Sequence, residues 1–291
     1  MNNPLVSICI PAYNHEGYVQ TCIKSVIAQD YKNIELLIVD DGSSDGTWEK
    51  IGELQAACAA RFVRIEFRRR SNRGRPQTFR ELFSMARGEY VGEIASDDAY
   101  LPGAITAMVN FLSEHHEYGL VVGVNEIMDS AGNRCYWTAG RLIADENKAA
   151  YKTLDEWIEL NCGVDLDGIE FGTYQSLLKA NHVPNGYLKR RDLIGQIEPY
   201  CDNAPLEDWW FHLQFSKVTR YKHLDVATFR YRWHKGNSSH GLRRLMMEER
   251  ATLKQERKVS SDVRLPFRAW VILYVPISFR MVLAKFKRRI R

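Results

Sequence analysis

The sequence predicts an α/β fold built on an open, mostly parallel sheet, and three observations carry this prediction. In the first hundred residues, short apolar runs alternate with stretches whose apolar residues recur at helical spacing, the rhythm of βαβ units. The run Ile34 to Val39 is nearly all apolar, as expected of a parallel strand covered on both faces. Polar residues follow each predicted strand, at the sheet edge where ligands of such folds bind.

The elements of the first hundred residues follow in order. Tyr18 to Gln29 carries its apolar residues on one helical face, and Ser43 or Ser44 is a good N-cap for the helix after the second strand. The predicted strands are Leu5 to Ile10, Ile34 to Val39, Arg61 to Phe67 and Glu89 to Ala95, and the predicted helices are Tyr18 to Gln29, Ser43 or Ser44 to about Ala60, and Gln77 to Ala86.

The pattern becomes mixed after Leu101 and Pro102, which start another helix. We predict strands at Leu120 to Met128, Arg134 to Trp137 and Tyr221 to Trp233, helices at Leu206 to Lys217 and Leu242 to Lys258, and a loop-rich segment from Gly140 to Asn185. A boundary is indicated near Gly236 to Gly241. It divides a domain of residues 1–240, with halves 1–100 and 101–240, from a C-terminal segment of residues 241–291.

Charge is unevenly distributed along the chain. The 291 residues carry a net charge of +4 and are 45% hydrophobic, which is typical of a globular protein and excludes a disordered polyelectrolyte. From Arg264 to Arg291 there are eight basic and no acidic residues, so the rest of the chain is mildly acidic. This distribution disfavours a nucleic-acid binder, which needs positive charge on its binding face.

The sequence also favours a cytoplasmic location. The apolar run Ala269 to Phe279 is 11 residues long and includes Pro276, well short of the roughly 18 that indicate a spanning helix. The N-terminus has no basic stretch before its apolar residues and no small-residue cleavage site after them. The cysteines form no CxxC pair and are expected to be reduced thiols; they are Cys9, Cys22, Cys58, Cys135, Cys162 and Cys201.

Paired carboxylates suggest a metal-held diphosphate. Asp97 and Asp98 follow an apolar strand and precede a helix start, so at least one should face the ligand crevice. Mg²⁺ and Mn²⁺ are typically held by one or two carboxylates together with phosphate oxygens. The alternative is that the pair caps a helix N-terminus.

Two common nucleotide-binding motifs are missing from the sequence. It contains no Walker A motif and no GxGxxG, which disfavours a P-loop kinase and a dinucleotide dehydrogenase. What remains is a site built from the aromatic Tyr13 and the acidic Asp40 and Asp41. Tyr13 could instead be ordinary packing at a strand end.

Six segments together resemble glycosyltransferase family 2, which has the GT-A fold. They occur in the family's order and cover roughly residues 4–240: VSICIPAYN (6–14), IELLIVDDGSSDGT (34–47), NRG (72–74), ARGEYVGEIASDD (86–98), LEDWWFHLQF (206–215) and YRWHKGNSS (231–239). The resemblance implies a Rossmann-like nucleotide-diphospho-sugar transferase with a mixed sheet flanked by helices. It also implies inverting transfer from a UDP-, dTDP- or GDP-linked sugar.

Roles for individual residues follow from the resemblance. It implies that Tyr13 stacks near the nucleobase, that Asp40 and Asp41 bind the base, and that Asp97 approaches the ribose or donor sugar. It further implies that Asp98 ligates Mg²⁺ or Mn²⁺ and that His234 adds a metal or diphosphate contact. The remaining nucleotide-binding residues implied by the match are Pro11, Asn14 and Arg73.

The acidic pair Glu207 and Asp208 matches the family's "ED" motif. Inversion requires a general base opposite the leaving nucleoside diphosphate, to take the proton of the acceptor hydroxyl. Adjacent helical side chains point about 100° apart, so one of the two faces the acceptor, and we expect it to be Asp208. A solvated acid at a helix N-terminus is the alternative.

The C-terminal segment has an amphipathic pattern. If Phe279 to Arg291 is helical, its apolar residues share one side and its cations the other, as in a helix lying at a membrane interface. The alternative is a helix that packs on the domain or on a second copy.

The sequence thus predicts a metal-dependent, inverting glycosyltransferase. We expect it to be peripheral at the inner face of the cell membrane, where it adds a sugar to a polyisoprenoid-diphosphate-linked glycan of a bacterial surface polysaccharide. One alternative is a polyprenyl-phosphate glycosyl synthase, which needs no saccharide acceptor. Another is a non-catalytic nucleotide-binding or membrane-scaffold protein.

Overall fold

The computed structural model describes residues 3–138, 141–237, 241–261 and 263–281. Its centre is a mixed sheet with the strand order β3-β2-β1-β4-β9-β6-β10-β5, extended from β6 by β7 and β8. The strands are β1 Val6–Ala12, β2 Ile34–Asp40, β3 Arg64–Arg69, β4 Tyr90–Glu93, β5 Ala99–Tyr100, β6 Tyr118–Met128, β7 Arg134–Thr138, β8 Arg141–Ile143, β9 Leu188–Arg190 and β10 Arg220–Arg232.

Helices flank this sheet on both faces. They are α1 Val19–Ile27, α2 Thr47–Gly52, α3 Gln55–Arg61, α4 Arg75–Met85, α5 Ala104–Glu114, α6 Leu154–Ile158, α7 Tyr174–Leu177, α8 Arg191–Ile194, α9 Glu207–Phe215, α10 Leu242–Val259 and α11 Phe267–Tyr274. A short 3₁₀ helix at Glu146–Lys148 and a π-turn at Glu159–Gly163 lie in the segment predicted to be rich in loops. The predicted mixed α/β sheet flanked by helices is confirmed.

The region after β2 differs from its prediction. In place of one helix starting at Ser43 or Ser44 there are two, and the first begins only after Gly46. The reason is that the hydroxyl and the backbone N–H of Ser43 both donate to the carboxylate of Asp40, so Ser43 belongs to the turn. The N–H of Thr47 is accepted instead by the side chain of Asp45.

The parallel register brings the predicted loops to one edge of the sheet. Ala12 at the end of β1 pairs with Asp40 at the end of β2, and Asp40 pairs with Arg69 at the end of β3. On the other side of β1, Cys9 pairs with Glu93, the last residue of β4. The loops after β1, β2, β3 and β4 therefore leave the sheet side by side.

The core lies on both faces of the sheet. Ile8 and Ile10 belong to a buried cluster with α1 and α5, whereas Cys9, Leu37 and Val39 belong to a second cluster with α4 and α9. All seven residues of β2 are buried, as the apolar run predicted. This rigid sheet positions the loops at its carboxyl edge.

The C-terminal helices extend the second cluster. Leu253 of α10 and Ala269 and Ile272 of α11 are buried in it. On α10 the buried carboxylate of Glu256 accepts the hydroxyl of Tyr174 at 2.6 Å, Nε2 of Gln214 at 2.5 Å and Nζ of Lys217 at 2.7 Å. The helices α10 and α11 thus pack against the sheet domain.

Parts of two predictions lie outside the described residues. These are residues 238–240 of the expected boundary and residues 282–291, which make up most of the predicted interfacial helix. Among the helices that the structure describes, none has the length and apolar character needed to cross a membrane. All six cysteines are free thiols, and five of them are buried.

We predict that Leu253→Ala lowers the free energy of unfolding by about 2 to 5 kcal/mol, because it leaves a cavity in the core that α10 shares with the sheet. Urea denaturation followed by circular dichroism measures the change. Met247→Ala is the control, because Met247 lies on the same helix with an exposed side chain and should change stability little. Equal, small effects of both substitutions would contradict the packing of α10 on the domain.

Candidate active site

The loop after β4 is held against the end of β10 by a buried arginine. The backbone N–H of Arg232 donates to Oδ1 of Asp98 at 2.8 Å, and its Nε donates to the carbonyl oxygen of Asp97 at 2.6 Å. Its Nη1 donates to the carbonyl oxygens of Asp129 and Ser130 at 3.1 and 3.3 Å. Residues far apart in the chain are thereby fixed around the two aspartates.

The turn after β10 aims a histidine at this loop. The side-chain oxygen of Asn237 accepts the N–H of His234 at 2.6 Å, and its Nδ2 donates to the carbonyl oxygen of Arg232 at 3.0 Å. The turn places Nε2 of His234 at 2.9 Å from Oδ2 of Asp97. The arginine, histidine and asparagine of the Tyr-Arg-x-His-x-x-Asn element therefore have separate structural tasks.

A second histidine completes a cluster that could hold a metal ion. Nδ1 of His15 lies 2.8 Å from the hydroxyl of Ser96, and its Nε2 lies 3.8 Å from Oδ2 of Asp97. One ligand atom from each of His15, Asp97 and His234 lies within 4.8 Å of the others. Two imidazoles and one carboxylate suit a transition-metal ion such as Mn²⁺ better than Mg²⁺, which prefers oxygen ligands.

The two adjacent aspartates have opposite electrostatic environments. Burial opposes ionisation of Asp97, but the hydrogen bond with His234 and the charge of His15 outweigh it and lower the pKa of Asp97. Burial raises the pKa of Asp98 well above its ordinary value, and the charge of Asp97 raises it further. Burial also lowers the pKa of His15, which favours the neutral imidazole that binds metals.

This geometry offers a second assignment of the metal ligands beside the one that the family resemblance implies. The sequence prediction gave the metal to Asp98 and His234, but the structure places His234 beside Asp97. Asp98 is buried, and its Oδ1 accepts the backbone N–H of Arg232. Asp97 is therefore a further candidate ligand, while Asp98 anchors the loop to β10 and its predicted bond to the metal stays a prediction.

The end of β1 carries three of the predicted nucleotide-binding residues. Pro11 is half-buried within the strand, and Tyr13 just after it has 47% of its surface exposed. Asn14 has a left-handed backbone with φ of 53°; its N–H donates to the hydroxyl of Ser43, and its side chain accepts the N–H of Ser44. The exposed ring of Tyr13 is thus presented by a loop that is tied to the next one.

Asp40 lies beneath the turn that follows β2. Its buried carboxylate accepts from Ser43 and lies 3.3 Å from Nε of Arg69. The turn itself requires glycine, because Gly42 has φ of +74° and a Cβ there would come within 2.7 Å of the backbone nitrogen of Asn72. Asp40 therefore supports the loop from below, and its predicted contact with the base stays a prediction.

Asp41 is nearer the surface of the site. Its carboxylate accepts the backbone N–H groups of Arg73 at 2.8 Å and of Gly74 at 2.9 Å, and it is also paired with Arg70. These bonds fix the loop that leads into α4 and leave the side chain of Arg73 exposed. The predicted base contacts of Asp41 and Arg73 also stay predictions.

The acidic pair opens α9, as the sequence predicted. Asp208 is exposed; its Oδ1 accepts the N–H of Trp209 at 2.7 Å, and its Oδ2 accepts Nδ2 of Asn181 at 2.9 Å. Glu207 is buried and forms an ion pair with Arg75 at 2.5 Å. Burial raises the pKa of Glu207 to about 7; Arg75 lowers it, and the charge of Asp208 adds to the rise.

Arg75 connects this pair with the histidine cluster. It is the first residue of α4, and the charges of Glu207, Asp208 and Asp97 all act on it and raise its pKa, against the effect of burial. Its ion pair with Glu207 ties the start of α4 to the start of α9, where the candidate base Asp208 lies.

Sequence reasoning missed several of these residues. His15 directly follows the predicted nucleotide-binding residues. Its position just after the end of a predicted strand is the signal by which the sequence could have indicated it. Arg232 and Asn237 belong to the segment YRWHKGNSS, but the sequence indicated no role for either of them. Arg75 was hidden in a run of arginines, and nothing in the sequence marks Asn181.

Comparison with solved structures shows which known fold the chain has. The fold resembles a mannosyltransferase from Pyrobaculum calidifontis in complex with GDP-Man and Mn²⁺, with a TM-score of 0.66 and 14% identity over 98% of this chain and 74% of that one. It also resembles residues 1–349 of S. aureus TarS in complex with UDP-GlcNAc, with a TM-score of 0.58 and 17% identity over 89% and 74% of the two chains. The chain has the GT-A glycosyltransferase fold that the motifs implied.

Sequence comparison gives the family. The model of glycosyl transferase family 2 matches residues 7–163, more than half of the chain. The chain therefore belongs to glycosyl transferase family 2, which confirms the resemblance drawn from its motifs.

Individual relatives agree with this family. A chondroitin synthase of Pasteurella multocida is 37% identical over 236 residues, or 81% of this chain and 21% of that protein. An uncharacterized glycosyltransferase of Rickettsia bellii is 32% identical over 134 residues, or 46% of this chain and 19% of that protein. The chain thus spans about a fifth of the length of these relatives.

We predict that Asp97→Asn and His234→Ala each weaken Mn²⁺ binding by at least about tenfold, because each removes a ligand of the cluster. Asp98→Asn should weaken it less, since the Asp98 carboxyl is bonded to Arg232. Electron paramagnetic resonance of free Mn²⁺, with and without UDP, measures the affinity. The control is His116→Ala, at an exposed histidine. A larger loss in Asp98→Asn than in Asp97→Asn would contradict this placement.

Proposed function

We propose that this protein transfers a sugar, with inversion, from a nucleotide-sugar donor to a hydroxyl of a glycan acceptor. One observation carries the proposal. The ion pair between Arg75, the first residue of α4, and Glu207, the first residue of α9, brings the candidate base Asp208 to the half of the chain that would hold the donor.

The comparisons support the donor class. The two structural neighbours bind GDP-Man and UDP-GlcNAc, and one of them holds Mn²⁺. The Pasteurella relative is named a chondroitin synthase. By analogy, the donor here is a UDP-, dTDP- or GDP-linked sugar.

Asp208 is the proposed general base. Asn181 and the N–H of Trp209 hold its two oxygens, while the side chain stays exposed to the cleft. Asp208 takes the proton of the acceptor hydroxyl as that oxygen forms its bond to the anomeric carbon. The bond from this carbon to the diphosphate breaks on the opposite face, and its electron pair leaves with the diphosphate oxygen.

The donor is proposed to bind along the carboxyl edge of the sheet. Asp97 and His234, with His15 beside them, would hold a divalent ion, Mn²⁺ before Mg²⁺. When bound, such an ion would neutralise the negative charge that develops on the departing diphosphate. Tyr13 would stack on the base, which would be bound further by the residues that the family resemblance implied: Pro11, Asn14, Asp40, Asp41 and Arg73.

The proposed acceptor is a glycan on a polyisoprenoid diphosphate at the cytoplasmic face of the cell membrane. Its support is the outer face of α11, where Phe267, Trp270 and Tyr274 are exposed while the opposite face packs into the core. Aromatic side chains favour the membrane interface. The basic residues between Lys285 and Arg291 would add attraction to anionic lipid.

We predict that Asp208→Asn lowers the rate of sugar transfer by about 10² to 10⁴-fold and leaves donor binding nearly unchanged, because it removes the base. Transfer from a panel of UDP-, dTDP- and GDP-sugars, with and without Mn²⁺, measures the effect. Asp202→Asn is the control, because Asp202 is an exposed aspartate that pairs with Arg80.

Three outcomes of this assay would count against the proposal. Unchanged transfer in Asp208→Asn would remove the base assignment. Transfer to polyprenyl phosphate with no saccharide present would identify a polyprenyl-phosphate glycosyl synthase. No turnover with any donor would favour a non-catalytic binding protein.

We predict that replacing Phe267, Trp270 and Tyr274 together with serine lowers binding to vesicles containing phosphatidylglycerol at least about tenfold, since it removes the exposed aromatic face of α11. Co-sedimentation measures binding, and a water-soluble acceptor should still be glycosylated. Val63→Ser is the control, at an exposed apolar residue before β3. Unchanged vesicle binding by the triple variant would reject this surface as the membrane contact.

A further inference from the structure

The ion pair between Arg75 and Glu207 bridges the two halves of the chain and is open to solvent on one side. Arg75 begins α4 in the donor half, and Glu207 begins α9 in the acceptor half. Nη2 of Arg75 lies 2.5 Å from Oε1 of Glu207, whose side chain is only 7% exposed, whereas that of Arg75 is 54% exposed. One side of the guanidinium is therefore held by the protein, and the other is open to solvent.

The surroundings of Arg75 are strongly acidic. Glu207, Asp208 and Asp97 act on its charge, and Glu248 of α10 does so more weakly. A nucleotide diphosphate entering this cleft would meet several carboxylates, which would repel it. The guanidinium of Arg75 lies among these carboxylates, and its positive charge offsets the repulsion.

Neighbouring arginines are already engaged by the protein. Arg70 donates to Asp41, to Glu81 and to the hydroxyl of Thr78. Arg232, at the end of β10, donates to backbone carbonyls. Arg80 of α4 donates to the carbonyl oxygen of Tyr200 and to the carboxylate of Asp202. Arg75 differs from these three because half of its side chain is exposed to solvent, a property that it shares with Arg73 just before α4.

We propose that Arg75 binds the diphosphate of the nucleotide-sugar donor, and that Glu207 is the positioning residue that holds it there. This inference rests on the nucleotide-sugar transfer proposed above. A guanidinium fits phosphate oxygens with two parallel N–H donors, and such charge-assisted bonds are about twice as strong as neutral ones. Arg75 also begins α4, and a helix N-terminus favours an anion. It remains protonated throughout and stabilises the charge that the leaving diphosphate gains.

The test compares nucleotides with and without the second phosphate. Isothermal titration of UDP and UMP, and in parallel of GDP and GMP, is performed on the wild type, Arg75→Gln and Arg75→Lys with Mn²⁺ present. We expect Arg75→Gln to weaken diphosphate binding at least about tenfold and monophosphate binding less than about threefold, with Arg75→Lys in between. Arg220→Gln, at the opposite end of β10, is the control at an exposed arginine.

Each other outcome has a definite meaning. Equal weakening of mono- and diphosphate would show that Arg75 only holds the two halves together, and unchanged diphosphate binding would exclude the contact. Both results overturn the role of Arg75 and leave sugar transfer standing. If the wild type bound neither UDP nor GDP, the proposed function itself would fail, and the role of Arg75 would fail with it.

Discussion

The site depends on one buried guanidinium. Removing an arginine from water is costly unless its donors and its charge are satisfied. The Arg232 guanidinium meets this requirement with the backbone carbonyls of Asp97, Asp129 and Ser130 and with the ring of Tyr18, whose centroid lies 4.9 Å from its guanidinium carbon. The backbone N–H of the same residue donates to the carboxyl of Asp98. Because these partners come from three separate segments, the buried arginine fixes the loop after β4 against the last strand. The distance between Asp97 and His234 follows from that.

The second constraint is the ion pair between Arg75 and Glu207. Each residue is the first of its helix, so two helix N-termini approach each other across the site. Glu207 is buried and its pKa is raised to about 7, mainly by that burial, while Arg75 favours its charged form. Asp208, one residue on, stays exposed and is held by Asn181. The two neighbouring acids thus have different environments and suit different tasks.

Much of this architecture could be predicted from the sequence, because it follows from local patterns. Apolar runs located the parallel strands, and the polar residues after them located the sheet edge where the loops meet. Motif order identified the family, and the "ED" pair was found at the start of its helix. These features depend on residues close together in the chain.

The rest could not be predicted, because it depends on contacts between distant residues. Asp97 and Asp98 are adjacent and both buried, and only the contacts with β10 and the turn after it show which carboxylate accepts the N–H of Arg232 and which lies beside His234. Ser43 looked like a helix cap, yet the carboxylate of Asp40 engages it in the turn. The burial of Ala269 in the core likewise shows only when α11 is packed.

The most direct test of this account is an anomalous-scattering map of Mn²⁺ in crystals grown with UDP. The account predicts one strong peak bonded to a carboxylate oxygen of Asp97 and to Nε2 of His234, with the diphosphate beside it on the Arg75 side of the cleft. A peak bonded to Asp98 and away from His234 would contradict it, as would a diphosphate bound at a different edge of the sheet.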